Sequence, residues 1–183
     1  MASYLSTACD LPVRLAREGE QEYFAGLLRL INSTALIHAD FGPYDAPGWE
    51  IGGITAQLTW NILLREIQGG ECIIYHRFWE GKSDDEQFKQ PKPAYGYRAE
   101  VVEGREVQVV SPEVGELTIF NSRCVWLFFP LLYWGVDNRA DLSRNFHAVN
   151  AAREPDLFPR YTMSSFIGLL PTPEGSFEMI LWS

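Results

Sequence analysis

Short runs of aliphatic, aromatic and β-branched residues recur along this chain, separated by turn-forming glycine, proline and asparagine. Such runs predict β-strands, because these side chains suit a pleated, half-buried surface. We predict strands at residues 27–31, 35–41, 54–66, 71–79, 99–102, 106–110, 116–121, 161–170 and 177–182. Many short strands with little helix indicate a mainly β domain, a sandwich or barrel of the jelly-roll type.

The segments between these runs carry weaker signals. Residues 13–24 have apolar positions at mixed spacing and predict a short helix near the N-terminus. Residues 42–53 are rich in glycine and proline and predict a loop, and the charged residues 81–93 predict a mobile one. Glu103-Gly104-Arg105 separates two strand-like runs and predicts a hairpin turn.

Composition narrows the class of protein. A length of 183 residues and 46% hydrophobic content favour one domain, 1–183, with a substantial core. A net charge of −9 without a basic cluster argues against a nucleic-acid partner, and no apolar run reaches membrane-spanning length. The odd count of three cysteines and the absence of a secretory signal predict a reduced, cytoplasmic protein. We expect a small-molecule substrate and leave homo-oligomer formation open.

Two of the three histidines occupy positions suited to a metal site. In an extended strand His38 and Asp40 point to the same side, because alternate side chains share a face. Two polar groups on an otherwise apolar strand need a partner when they are buried, and a metal is one natural partner. His147 lies far downstream, within residues 144–149. Two imidazoles and one carboxylate suit ferrous iron with open coordination positions. The alternative is that His38 and Asp40 only anchor the end of a strand.

Arg160 follows His147 and begins a run in which Met163, Ser165, Ile167 and Leu169 alternate as in a half-buried strand. A guanidinium held near a metal can bind the far carboxylate of a dicarboxylate through two parallel hydrogen bonds. An isolated arginine more often forms a surface salt bridge, and that alternative applies here too.

Taken together, these residues resemble the Fe(II)/2-oxoglutarate-dependent dioxygenases of the small-molecule hydroxylase type. The resemblance covers roughly residues 25–170 and rests on these motifs: His38-x-Asp40, Gly69-Gly70-Glu71, residues 115–121, His147 and Arg160-x-Thr162. It implies a double-stranded β-helix, a jelly-roll fold related to that of cupins. It further implies iron held by His38, Asp40 and His147, with 2-oxoglutarate as a cosubstrate that is converted with O₂ to succinate and CO₂.

The same resemblance assigns further residues. Arg160 would bind the distal carboxylate of 2-oxoglutarate, and Thr162 would assist by hydrogen bonding. Asn61 and Tyr75 lie on predicted strands and would touch the cosubstrate, with core packing as the alternative. His76 would serve instead in a cupin-type metal enzyme that needs no 2-oxoglutarate; next to Tyr75 it is expected to be structural or solvent-facing.

Two features depart from the family pattern. Residues 124–144 form a hydrophobic insertion between borders of the same sequence, Ser122-Arg123 and Ser143-Arg144, and we interpret it as a retained intron. The alternatives are a true lid or docking hairpin, and an insertion that displaces His147 and impairs the site. The second departure is the short region of 37 residues before His38. It predicts a truncated chain or a minimal member that dimerises, and leaves a non-catalytic β-sandwich as the rival interpretation.

Overall fold

Extended backbone dominates the computed structural model, which describes residues 1–111, 113–124, 146–153 and 159–183, without the side chains of 122–124. The strands are β1 Val13–Leu15, β2 Arg17–Glu18, β3 Gln21–Glu22, β4 Leu27–Leu30, β5 Ala35–His38, β6 Ala56–Leu63, β7 Gln68–Gly69, β8 Cys72–Tyr75, β9 Val107–Val110, β10 Leu117–Cys124, β11 His147–Val149, β12 Ala152–Arg153, β13 Tyr161–Pro171 and β14 Phe177–Trp182. The helices are α1 Ala2–Cys9, α2 Gly42–Asp45 and α3 Lys82–Phe88, with 3-10 turns at Glu50–Gly53 and Ala99–Val102. The chain is therefore mainly β, as predicted.

Two main sheets organise the strands. The larger has the order β1-β14-β13-β6-β10, with β4 pairing with the first part of β13. The smaller has the order β5-β11-β8-β9. From β4 to β13 the chain passes repeatedly from one sheet to the other, so residues distant in sequence become neighbours. Two further pairs, β12-β7 and β2-β3, are short.

Strand β13 shows how the sequence pattern becomes packing. Its residues Met163, Ile167 and Leu169 pack in one apolar cluster with Trp60 and Leu5, a residue of α1. These three residues share one face, as predicted, but the strand is not half-buried, because Thr162 and Ser164 on its other face are buried as well. Side chains on the opposite face of the strand begin with Thr162, which is directed away from that cluster and into a cavity.

The prediction of a helix at residues 13–24 is wrong, because this segment forms β1, β2 and β3. Val13 and Leu15 of β1 pair in parallel with Met179 and Leu181 of β14, a long-range contact that local periodicity does not reveal. Gly19, with φ of 62°, turns the chain between β2 and β3. The N-terminal helix of the structure is α1, ahead of the predicted position.

Three other segments also differ from prediction. Residues 81–93 contain the helix α3 instead of a mobile loop, and residues 42–53 contain α2 and a 3-10 turn. The hairpin predicted around Gly104 is absent, because Ala99–Val102 is a 3-10 turn and β9 pairs with β8 instead. In each case tertiary contacts decide the outcome. The predicted insertion, 124–144, lies outside the described residues beyond Cys124.

A buried ion pair fixes α3 against the rest of the domain. Asp84 is 1% exposed, and its carboxylate lies 2.5 and 2.6 Å from the two terminal nitrogens of Arg77. The backbone N–H of Glu80 donates to the same carboxylate at 2.6 Å. These contacts explain why a charged, polar stretch is ordered as a helix.

Replacing Asp84 with alanine should lower the free energy of unfolding by about 3–5 kcal/mol, because it leaves the Arg77 guanidinium buried without its counter-charge. Chemical denaturation of the variant measures the loss. Glu86→Ala, on the same helix but solvent-exposed, is the matched control and should change stability by less than about 0.5 kcal/mol. Equal stability of the two variants would contradict this account of α3.

No helix in the described part of the chain combines the length and apolar character needed to cross a membrane.

Candidate metal centre and its pocket

Adjacent strands bring the two candidate histidines together. Strands β5 and β11 pair antiparallel, and His38 and His147 are directly opposite partners in that pairing. Their ring centroids lie 4.0 Å apart. Asp40 follows β5 two residues after His38, so its carboxylate reaches the same point.

The spacing of the three side chains suits ligation better than hydrogen bonding. Asp40 Oδ2 lies 3.7 Å from Nε2 of His38 and 3.7 Å from Nε2 of His147. One ligand atom from each residue falls within 4.8 Å of the others. A separation of 3.7 Å is too long for a hydrogen bond. It is short enough for both atoms to bind one ion, because two bonds of about 2.0–2.2 Å can span up to about 4 Å.

The tautomer of His38 is set by its backbone neighbour. Nδ1 of His38 lies 2.6 Å from the carbonyl oxygen of Leu36. A carbonyl only accepts, so Nδ1 carries the proton and donates, and in the neutral ring Nε2 presents its lone pair towards Asp40. Metal-ligating histidines are oriented in this way by their second nitrogen. The donor set therefore fits a divalent metal.

Aromatic residues surround the two imidazoles. The ring of Tyr95 meets His38 edge-on at 5.7 Å, and the ring of Phe120 meets His147 edge-on at 5.2 Å. His147 is buried and His38 half-buried. Such packing limits the rotation of both rings, which favours a fixed ligand geometry.

The triad opens into a cavity between the two sheets. The cavity is lined by Arg29, Ile31, Ala35, His38, Asp40, Thr59, Asn61, Cys72, Val110, Thr118, Phe120, His147, Val149, Arg160, Thr162, Ser164, Ser165 and Phe166. Arg160, Thr162 and Asn61, which the sequence singled out, are therefore grouped with His38, Asp40 and His147. Of the described residues that line the cavity, Asp40 is the only acidic one.

Arg160 is held by contacts on several sides. Asn32 accepts a hydrogen bond from its backbone N–H at 3.0 Å, and Gly70 approaches its side chain closely. Among the described residues its buried Nε has no hydrogen-bond partner. Burial lowers the pKa of the Arg160 guanidinium. This arrangement leaves a cation directed into the cavity.

Other predicted residues lie elsewhere. Tyr75, a predicted cosubstrate residue, is not among the residues that line the cavity and packs against the apolar cluster around Phe41 and Trp79. His76 is exposed and lies outside the metal-ligand group found among the described residues. His147 lies beside His38 and Asp40, so the structure does not show the displacement that an insertion could cause.

Among the lining residues with ionisable side chains, sequence reasoning missed two, Arg29 and Cys72. A cue for Arg29 was present: it is the single polar residue of the run Leu27–Leu30, at an alternating position. For Cys72 the sequence held no such cue. Burial raises the pKa of the Cys72 thiol to about 11, so the group stays neutral near pH 7.

No family model matches this chain. The chain is 51% identical over 175 residues to the "Leucinostatins biosynthesis cluster protein S" of Purpureocillium lilacinum, a match that covers 94% of the chain. It spans 63% of the length of that relative.

Solved structures share the fold at low sequence identity. One is a novel N-substituted L-amino acid dioxygenase from Burkholderia ambifaria AMMD, with a TM-score of 0.56 and 18% identity over 96% of this chain and 60% of that one. The same enzyme in complex with α-ketoglutarate (2-oxoglutarate) gives 0.54 and 17%, over 98% and 61%. The chain therefore has a dioxygenase-like fold.

Proposed function

We propose that this chain is an Fe(II)/2-oxoglutarate-dependent oxygenase that oxidises a small organic molecule. The observation that carries the proposal is the convergence of His38, Asp40 and His147 in the lining of a cavity that Arg160 also lines. Two imidazoles and one carboxylate form the facial set typical of non-haem iron oxygenases. The shared fold with a dioxygenase solved in complex with α-ketoglutarate supports the same assignment.

The strand order supports a finer description of the fold as a double-stranded β-helix. Strands β4, β6, β10 and β13 lie in one sheet, while β5, β8, β9 and β11 lie in the other. This alternation is the winding expected of two stacked sheets that enclose a site between them. In this description the metal is held at the end of the smaller sheet and the cosubstrate reaches towards β13.

Each residue has a defined task in this proposal. His38, Asp40 and His147 would hold the metal, whose chemistry turns 2-oxoglutarate and O₂ into succinate and CO₂ while oxidising the substrate. The Arg160 fork and the Thr162 hydroxyl would hold the distal carboxylate, with Asn61 as a further polar contact in the cavity. Apolar residues such as Phe120 and Phe166 would keep water away.

The substrate class follows from the relatives and remains part of the proposal. One relative belongs to a biosynthesis cluster, and the structural neighbour acts on N-substituted L-amino acids. We propose an amino-acid derivative or another secondary metabolite.

The proposal predicts coupled binding. Calorimetric titration of 2-oxoglutarate should give at least tenfold tighter binding in the presence of Mn(II), a redox-inert substitute for iron, because one ligand completes the site of the other. His38→Ala should weaken Mn(II) binding at least tenfold and abolish the coupling. His76→Ala, an exposed histidine outside the group, is the matched control and should retain both.

Three results would decide against the proposal in different ways. A non-catalytic β-sandwich predicts no coupled binding in the unaltered protein. If the chain is a cupin-type enzyme, His76→Ala should remove metal affinity, whereas the omission of 2-oxoglutarate should not. With Fe(II) and air, the proposal also requires succinate formation by the unaltered protein and none by His38→Ala.

A further inference from the structure

The cavity contains a second arginine, Arg29, which the family motif does not include. In β4 its neighbours Leu28 and Leu30 are 68% and 57% exposed, whereas Arg29 is half-buried and lines the cavity. Alternation along the strand therefore turns the Arg29 side chain inward. This orientation is unusual for an arginine on an edge strand, which could have placed its charge in water.

Strand pairing places Arg29 next to the residues proposed to bind the cosubstrate. Arg29 and Thr162 are directly opposite partners of the antiparallel pair β4 and β13. Side chains at such positions have Cβ atoms about 4.5–5.5 Å apart and lie on one face. Arg160 precedes Thr162 by two positions and faces the same way; both are buried, at 6% and 2% exposure. Arg29, Arg160 and Thr162 thus line the same part of the cavity.

Neither guanidinium has a carboxylate partner among the residues that the structure describes. The Nε atoms of both Arg29 and Arg160 are buried without a hydrogen-bond partner. Elsewhere the fold pairs its partly buried arginines: Arg14 lies 2.7 Å from Glu50 and from Glu178, and Arg77 lies 2.5 Å from Asp84. Since unpaired buried cations are costly, the exception marks a place that an external anion completes.

The chemistry of the pair selects a carboxylate. A guanidinium presents parallel N–H donors that match the two oxygens of a carboxylate, and a neighbouring hydroxyl supplies a further donor. The acidic residue of the cavity, Asp40, is committed to the two histidines. None of the described lining residues is left to neutralise the two arginines, which favours an anion that arrives with a ligand.

We infer that Arg29 and Arg160 bind one carboxylate between them, so that Arg29 is a second arginine ligand for the distal end of the dicarboxylate cosubstrate. The inference rests on the proposed function, because it assigns the cosubstrate of the same site. It makes the cavity selective for dicarboxylates over 2-oxo acids with an apolar tail. Thr162, the cross-strand partner of Arg29, would donate to the same group.

Binding to the Mn(II)-loaded protein tests the inference, with two ligands of similar size. The first is 2-oxoglutarate, and the second is 2-oxopentanoate, in which a methyl group replaces the distal carboxylate. Arg29→Gln should raise the Kd for 2-oxoglutarate about tenfold or more, the loss expected for a hydrogen bond to a charged group. The Kd for 2-oxopentanoate should stay within about twofold. Arg160→Gln should show the same selectivity.

Controls separate this role from a structural one. Arg105→Gln removes an exposed arginine remote from the cavity and should leave both affinities unchanged. Arg29→Lys keeps the charge but loses the fork, so its Kd for 2-oxoglutarate should fall between those of the unaltered protein and Arg29→Gln. Melting curves of all variants report whether β4 remains folded.

Each outcome has one meaning. An unchanged Kd for 2-oxoglutarate in Arg29→Gln overturns the inference, while the proposed function stands. Equal weakening of both 2-oxo acids also overturns it. If the unaltered protein binds no 2-oxoglutarate with Mn(II), the proposed function fails. Binding of glutarate then tests whether Arg29 and Arg160 hold a carboxylate. Glutarate binding that Arg29→Gln weakens then supports the pair, and its absence overturns it.

Discussion

Replacing Asp40 with asparagine should lower the affinity for Mn(II) or Fe(II) by at least about a hundredfold. Asp40 supplies the anionic ligand of the group, and its Oδ2 lies 3.7 Å from Nε2 of both histidines. An amide of the same shape removes the negative charge while keeping the packing. Loss of a residue that only supports a metal ligand already costs tenfold to a hundredfold, so loss of a charged ligand should cost more.

Calorimetric titration with the metal measures this loss of affinity, and thermal unfolding shows whether the variant is folded. Asp10→Asn is a suitable control: it makes the same chemical change at an exposed position after α1, with φ of 52°, a conformation that asparagine tolerates. The control should bind metal as the unaltered protein does. Metal affinity in Asp40→Asn equal to that of the control would show that the three side chains do not form a metal centre.

Much of the site could be predicted because it depends on local geometry. His38 and Asp40 are two residues apart, and the side chains of Arg160 and Thr162 share a face for the same reason. Strand positions were also predictable where apolar residues alternate, as in Tyr161–Pro171 and Phe177–Trp182. That His147 faces His38 required the pairing of β5 with β11, which only the family resemblance suggested.

The features that could not be predicted depend on partners far along the chain. The sequence of Val13–Leu15 resembles part of a short helix. The segment forms a strand because it pairs with β14, which lies far along the chain. The helix α3 is held by the ion pair between Asp84 and Arg77, which compensates for its polar sequence. The role of Arg29 becomes evident only from its strand pairing with Thr162, because a single arginine in an apolar run indicates no function by itself.

The close packing of Gly70 against Arg160 leads to the second large effect. Gly70 has φ of +73°, and a Cβ at this position would lie 2.5 Å from Cδ1 of Ile67, 3.1 Å from Cδ of Arg160 and 3.2 Å from its Nε. The left-handed backbone alone costs about 1–2 kcal/mol for an alanine. The tip of the Ile67 side chain can turn aside, whereas the Arg160 side chain has to shift by a few tenths of an ångström.

Gly70→Ala should therefore be less stable by more than about 2 kcal/mol and bind 2-oxoglutarate at least tenfold more weakly, because a small shift of an anchoring group is expensive. Gly104→Ala separates the two causes, since Gly104 has φ of +68° and a Cβ added there would meet no described atom within 4 Å. That control should lose about 1–2 kcal/mol of stability and no affinity. Denaturation and calorimetry on the Mn(II)-loaded proteins measure both quantities. If the two variants lose the same stability and both keep full affinity, Gly70 does not position Arg160, and the anchoring must come from Asn32 and the strand alone.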